Sequence, residues 1–230
     1  MTAPNPVDST FLSLGSSATA ATQIFDALKR DLIRGRFVAG EKLAISALKE
    51  HYDVGLSPLR EALNRLAAYG LLEQHNQRGF RVPPLSDGEL EDIARLRMQL
   101  ECMALTQAFQ QGDAEWESQL LAASHRLTRA DQEPKEIEQW EQAHLRFHRT
   151  LLAPCGSHWL LRFIEQLHDQ FDRYRRLAPG NSVIRERLDA QHGQLVQFAL
   201  DRHIHGAREL LEEHIRLSWD VARGSCLDTE

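Results

Sequence analysis

The sequence predicts a mainly α-helical protein, with a winged helix-turn-helix unit over residues 21–84 and an all-helical antiparallel bundle over 85–223. Three observations predict this arrangement. In the first unit, short amphipathic helices precede a two-stranded hairpin. After it, leucine and alanine recur at three- and four-residue spacing without any alternating β pattern. The prolines at 83–84 separate the two halves.

Length, composition and cysteine spacing limit the class of protein. The 230 residues are 42% hydrophobic, and no apolar run approaches the roughly 18 residues that span a membrane. Residues 1–20 lack a basic start and are expected to form a flexible tail, not a signal peptide; residues 224–230 form a second tail. The three cysteines lie far apart and are odd in number, which favours a reduced, cytoplasmic protein.

The elements of the first unit are bounded by glycine and proline. Gly35 ends the first helix, and Pro58 lies in the first turn of the third helix, where its missing N–H costs nothing. A turn-rich loop at 76–79 joins two strands. The predicted helices are 22–34, 45–51 and 57–69, and the predicted strands are 71–75 and 80–82.

Six helices with short connections account for the second unit. Ser86 can cap the first of them, with Glu89 at the capping-box position. Glycine or proline interrupts the helical pattern at most of the junctions. The predicted helices are about 86–110, 114–130, 134–153, 157–177, 182–203 and 205–223.

Charge is distributed unevenly between the units. Residues 22–84 hold ten basic and seven acidic side chains, a net charge of +3. Because the whole chain has a net charge of −6, the rest of the chain carries a net charge of −9. The third predicted helix presents Arg60 and Arg65, and the wing carries Arg78 beside Gly79. Guanidinium groups pair with guanine edges and with phosphates, so this unit is typical of a DNA-binding head, although a merely solvated basic face is the alternative.

Four of the eleven histidines are spaced as a metal site would require. His144 and His148 are four residues apart on one helix face, while His192 and His214 lie on the fifth and sixth helices of the bundle. Imidazoles from three helices can converge in a bundle core and bind zinc, nickel, copper or iron. Alternatively, these are ordinary partly buried histidines, the interpretation we give to the remaining five of the second unit: His125, His158, His168, His203 and His205.

The order of motifs resembles the GntR family of bacterial transcription regulators. The resemblance rests on Ser57-Pro58-Leu59-Arg60-Glu61-Ala62-Leu63, which looks closest to the CsiR-like branch, and on segments 32–43, 70–72 and 78–82. The second unit resembles the effector domain of the FadR-type (FCD) subgroup. Its matching residues are Arg97 to Glu101, His144 to His148, His192 and His214.

The resemblance implies a homodimer that binds an inverted-repeat operator in double-stranded DNA. The recognition helix and the wing would read bases, and basic residues around them would contact phosphates. The DNA contacts implied are Lys29, Arg34, Lys49, Ser57, Pro58, Arg60, Arg65, Arg78 and Gly79.

In the second unit the resemblance implies a divalent metal held by the four histidines. Arg97 and the open coordination positions of the metal would bind a small carboxylate effector, and its binding would relieve repression. The alternative is that the protein activates transcription.

Two positions depart from the family pattern. Leu56 stands where many members have an arginine that touches DNA, so base reading falls to Arg60, Arg65 and the wing. His144 stands where the family usually has an aspartate ligand, and a set of four imidazoles favours zinc or nickel over manganese.

Two other classes of function compete with a regulator. A metal-dependent helical-bundle enzyme of the di-iron type needs two Glu-x-x-His pairs, and among the four candidate ligands only His144, with Glu141, has that spacing. The chain also lacks a nucleophile elbow, a phosphate-binding loop and a zinc-protease motif, so we expect no enzyme. A dimerisation scaffold with a DNA arm and no effector is the other alternative.

Overall fold

The computed structural model describes residues 9–75, 79–131, 137–178 and 182–224, with side chains from Ala20 onward except at 137, 182, 183 and 185. The chain divides between Leu85 and Ser86 into two compact units. The fold class predicted from the sequence is confirmed: an N-terminal winged helix-turn-helix precedes a helical domain.

The N-terminal unit contains three helices and a small antiparallel sheet. Its elements are α1 (Ser9–Ile33), β1 (Lys42–Leu43), α2 (Ile45–His51), α3 (Leu56–Ala68), β2 (Glu73–His75) and β3 (Gly79–Arg81). The strand order is β1-β3-β2, and Phe80 lies opposite both Leu43 and Gln74.

Leucines from α1 and α3 form the centre of the first core. Leu28, Leu59, Leu63 and Leu66 have no exposed surface, and the inner strand adds Phe80. Their spacing of three or four residues places them on one side of each helix. The opposite side of α3 is left exposed.

Two features of this unit differ from the sequence prediction. α1 begins at Ser9, so the predicted tail over 1–20 is wrong from residue 9 onward. No proline interrupts residues 9–21, and adding residues to a nucleated helix is favourable, especially for alanine. The second difference is the two-residue strand β1, which is too short to give a sequence pattern.

The second unit is a bundle of long helices. Its elements are α4 (Asp87–Gln111), α5 (Ala114–Asp131), α6 (Ile137–Leu152), a 3₁₀ turn (Ala153–Cys155), α7 (His158–Arg175), α8 (Ser182–Leu200) and α9 (Ile204–Ala222). These six helices lie within a few residues of the predicted ones. The Ser86 hydroxyl accepts a hydrogen bond from the Glu89 N–H at 3.4 Å, as the capping-box pattern predicts.

α4 runs through the middle of this bundle and packs against α7 and α9, while α5 pairs with α6 and α8 with α9. Phe147, Phe171 and Leu105 are fully buried between the helices. No helix in the described ranges is long and apolar enough to cross a membrane. The packing brings the inner faces of α4, α6, α7, α8 and α9 toward one another, and these faces carry the polar residues described next.

Candidate metal centre and nucleic-acid interface

The exposed side of α3 is the centre of the candidate DNA interface. Arg60 and Asn64 are exposed and lie one turn apart, and they line two concave surfaces. One surface, of about 760 Å³, lies between α3, the start of α2 and the hairpin, and the other, of about 870 Å³, extends along α3 from Leu56. An exposed helix flanked by a hairpin suits insertion into a major groove.

Asn64 and Leu56 were missed as candidate contacts by the sequence reasoning. Asn64 shares the Arg60 stripe at four-residue spacing, which is the signal that could have identified it. Leu56 is 48% exposed at the first position of the helix. An asparagine pairs with adenine edges and an aliphatic side chain contacts the thymine methyl, so both can read bases.

Arg65 makes contacts that the sequence did not predict. Its Nη1 donates to the Thr22 hydroxyl at 3.2 Å, and its guanidinium lies 4.5 Å from the centre of the Phe25 ring. These contacts join α3 to α1 and give Arg65 a packing role, although it is exposed and also lines the surface along α3.

The remaining predicted DNA contacts have different surroundings. Ser57 is exposed, and Pro58 is the third residue of α3, not in its first position. Gly79 has a φ of 92°, a left-handed conformation that favours glycine at the base of the wing, whereas Arg78 lies outside the described residues.

The three predicted phosphate contacts lie on α1, just after it, and on α2. Lys49 is exposed on α2, and Arg34 is exposed just after α1. Lys29 lies 5.0 Å from the centre of the Tyr69 ring, which gives it a packing role besides any contact with DNA.

The four predicted metal ligands lie together in the helical domain. One nitrogen from each of His144, His148, His192 and His214 lies within 4.8 Å of the other three. The Nε2 atoms of His144 and His148 are 3.2 Å apart. Zinc–nitrogen bonds of about 2.0–2.1 Å place tetrahedral nitrogens about 3.3 Å apart, so a small contraction would complete such a site.

The hydrogen bonding of these rings leaves nitrogens available to a metal. Neither ring nitrogen of the buried His192 has a hydrogen-bond partner within the described part of the chain, and His148 Nδ1 also lacks one. The Gln191 carboxamide oxygen accepts from His214 Nδ1 at 3.1 Å, which directs the Nε2 lone pair inward. Buried polar atoms without partners are rare, and a bound cation would take one nitrogen of each ring.

Electrostatics keep the cluster neutral. Burial lowers the pKa of His144, His148 and His214 well below the ordinary value, and the neighbouring imidazoles lower it further. Burial alone lowers the pKa of His192 to about 3. Neutral imidazoles are the form that binds metals. Glu141, which has the Glu-x-x-His spacing with His144, instead pairs with Arg175.

Arg97, the predicted effector contact, already has a carboxylate partner in the structure. Its Nε donates to Glu101 Oε1 at 2.8 Å, and its guanidinium lies 4.5 Å from the centre of the Phe171 ring. Both Arg97 and Glu101 are buried. An incoming carboxylate would therefore have to compete with Glu101 for this guanidinium.

His168 completes this second polar network, although its sequence position gave no sign of it. Its Nε2 lies 2.8 Å from Glu101 Oε1, and its ring centre lies 5.8 Å from that of His148. Burial opposes ionisation of Glu101, but Arg97 and His168 outweigh it and lower the pKa of Glu101 to about 2. A permanently charged pair thus lies directly beside the histidine cluster.

A cavity adjoins both networks. Its volume is about 300 Å³, its floor includes His148 and His168, and most of its wall is aliphatic. Arg149 and Glu165 form an ion pair at its edge, between α6 and α7. The cavity is large enough for a small organic molecule.

Comparisons with known proteins agree with both halves of this description. Residues 20–82 match the gntR family of bacterial regulatory proteins, and residues 92–217 match the FCD domain. The HTH-type transcriptional regulator BphR of Paraburkholderia xenovorans is 40% identical over 204 residues, 86% of this chain and 83% of that protein. The HTH-type transcriptional repressor GlaR of Escherichia coli is 39% identical, over 82% of this chain and 89% of that protein.

Solved structures give the same fold. McbR/YncC of Escherichia coli superposes with a TM-score of 0.77 at 25% identity, covering 89% of this chain and 97% of that one. A GntR regulator from a Rhodococcus species has a TM-score of 0.73 at 16% identity, covering 90% and 99%.

Proposed function

Because the chain belongs to the gntR family of bacterial regulatory proteins and carries an FCD domain, we propose that this DNA-binding transcription regulator is a metal-dependent repressor that senses a small carboxylate. The observation that carries the proposal is the cluster of four neutral imidazoles, three buried and one half-buried, in a domain joined to a DNA-binding head. Its family is one of regulators, so the metal-dependent enzyme is wrong as an alternative and the chain is not an enzyme.

The histidine set fits a divalent metal. His144, His148, His192 and His214 would hold it. His192 supports this assignment, because neither of its ring nitrogens has a hydrogen-bond partner among the described residues and one of them would bind the metal. An all-imidazole set has no anionic ligand, which favours zinc or nickel over manganese. The bound metal would supply a cationic centre for an oxygen ligand.

The surroundings of the cluster favour a carboxylate with a modest apolar part. The aliphatic cavity beside His148 offers room for that part, and desolvation there strengthens charge pairing. Since Glu101 already pairs with Arg97, the carboxylate would bind at the metal as a fifth ligand beside the four imidazoles. Arg97, Glu101 and His168 would form the polar surroundings of the ligands.

The DNA-binding unit supports a specific reading of the operator. Arg60 suits a guanine, Asn64 an adenine, and Leu56 a thymine methyl group. A cytoplasmic homodimer would present two such helices and so recognise an inverted repeat. Phosphate contacts from Lys29, Arg34 and Lys49 would add affinity that falls with salt.

Effector binding would act through an equilibrium between conformations. A ligand shifts such an equilibrium only by its difference in affinity for the two states. We propose that the effector relieves repression. This direction of regulation is supported by the similarity to GlaR of Escherichia coli, which is named a repressor.

Removing two ligands tests the sensor. The double variant His148→Ala with His192→Ala should lose bound metal and should no longer release operator DNA when carboxylates are added. Metal content is measured by elemental analysis, and DNA binding by fluorescence anisotropy with and without chelator.

The matched control is His125→Ala with His158→Ala, because both of these histidines are exposed in the same domain. The control should behave as the wild type. Unchanged metal stoichiometry in the first variant would refute the ligand assignment. A wild type that ignores every carboxylate, with or without metal, would support the scaffold alternative.

A further inference from the structure

A second candidate ligand site lies in a groove between α5 and α6. The groove has a volume of about 420 Å³. Arg126 and Arg129 lie one turn apart on α5, and Arg146 faces them from α6. The other lining residues are two glutamines and two alanines: Gln139, Gln142, Ala130 and Ala143.

The three arginines of this groove differ from most others in the domain. Within the part of the chain that the structure describes, none of the three forms a hydrogen bond or an ion pair. Elsewhere in the domain, arginines such as Arg187 and Arg223 pair with carboxylates of Glu213 and Asp87. Among the residues that the structure describes, no carboxylate lines the groove, although acidic residues outnumber basic ones over this half of the chain.

Unpaired guanidinium groups on facing helices create a concentrated positive field. Concave surfaces focus such a field and raise the local concentration of anions. The planar fork of donors on each arginine matches the oxygens of a phosphate, and such charge-assisted hydrogen bonds are the strong ones. The glutamine carboxamides supply further N–H donors.

We propose that this groove binds a small phosphate-bearing molecule. The site shares no residue with the histidine cluster or with the Arg97 network. It is nevertheless built on the same helix: Arg146 is two residues from both His144 and His148, so it projects from the opposite side of α6. An anion in the groove would therefore contact the outer side of the helix that carries two of the proposed metal ligands.

Binding of inorganic phosphate to the chelator-treated full-length protein tests this proposal. Without metal, phosphate that binds cannot be bound by a metal ion at the histidine cluster. Calorimetric titration at low ionic strength should show saturable binding at one site, and chloride at matched ionic strength should not reproduce it. Both the double variant Arg126→Gln with Arg129→Gln and the single variant Arg146→Gln should weaken phosphate at least tenfold.

The matched control, Arg187→Gln with Arg216→Gln, neutralises two exposed arginines of the same domain and should bind phosphate as the wild type does. If the double variant fails to fold, Gln142→Glu, which adds a carboxylate to the groove, should weaken phosphate equally. Absence of saturable binding, or equal binding by the groove variants, would overturn the proposal. The proposal would also be overturned if these variants, without phosphate, lost operator affinity or no longer formed dimers. The first result would indicate that the groove contacts DNA, and the second that it contacts a second copy of the chain.

Discussion

Mild acid should destabilise the metal-free helical domain, because the buried His148, His192 and His214 and the half-buried His144 are neutral there. Burial, reinforced by neighbouring imidazoles, lowers the pKa of His144, His148 and His214, and burial lowers that of His192 to about 3. The unfolded chain has ordinary imidazoles with a pKa of about 6.5. Below that value the unfolded state binds protons that the folded state does not.

The sign and the size of the effect follow from this difference. Since the folded pKa values are depressed, the stability is fully present above about pH 6.5 and is lost as the pH falls below it. A fully titrating group contributes about 1.4 kcal/mol per pH unit, but at pH 6.5 the unfolded imidazole is already half protonated, so each ring contributes about 1 kcal/mol, and four rings about 4 kcal/mol, between about pH 6.5 and pH 5.5. Domains are typically stable by about 5–15 kcal/mol, so this loss removes a large part of the stability of the metal-free protein.

Urea denaturation in chelator, followed by far-ultraviolet circular dichroism, measures this loss. The variant His148→Leu with His192→Leu should show about half the pH dependence, because two of the four rings no longer titrate. The exposed pair His125→Gln with His158→Gln is the control and should retain the full dependence. The carboxylate of Glu101, whose pKa is about 2, stays ionised throughout this range. Equal stability of the wild type at both pH values, or an unaltered slope in the first variant, would refute the reasoning.

Four other substitutions distinguish contacts that the structure separates. Arg60→Ala should abolish operator binding in anisotropy assays without changing the melting temperature. Arg65→Ala should lower the melting temperature, because it removes contacts with α1. Identical effects of the two substitutions would contradict the different roles given to Arg60 and Arg65. Glu101→Ala should lower the free energy of unfolding, measured in urea, by about 3–5 kcal/mol, because it leaves the buried Arg97 charge uncompensated. A loss below about 1 kcal/mol, as for an exposed ion pair, would contradict this expectation. His144→Asp should increase the manganese content after growth with mixed metals, measured by elemental analysis, and an unchanged metal profile would contradict the role of ligand charge.

Local patterns in the sequence were sufficient for the order and type of most elements. Leu59, Leu63 and Leu66 repeat at helical spacing, and Gly70 adopts a φ of 87° directly after α3, so periodicity and a turn residue together mark that helix. The same patterns did not reveal β1, which is two residues long, or the extension of α1 to Ser9, whose residues carry no strong signal of their own.

The sequence by itself determined which residue types were available: imidazoles at helical spacing, an arginine face on α3, and a family resemblance that is confirmed. Only the tertiary structure decided which of them meet. His192 and His214 approach His148, whereas Arg97 is paired with Glu101, and His168 joins them from α7. Helical spacing follows from local backbone geometry, but contacts between distant helices depend on how whole faces pack, and no short stretch of sequence encodes that.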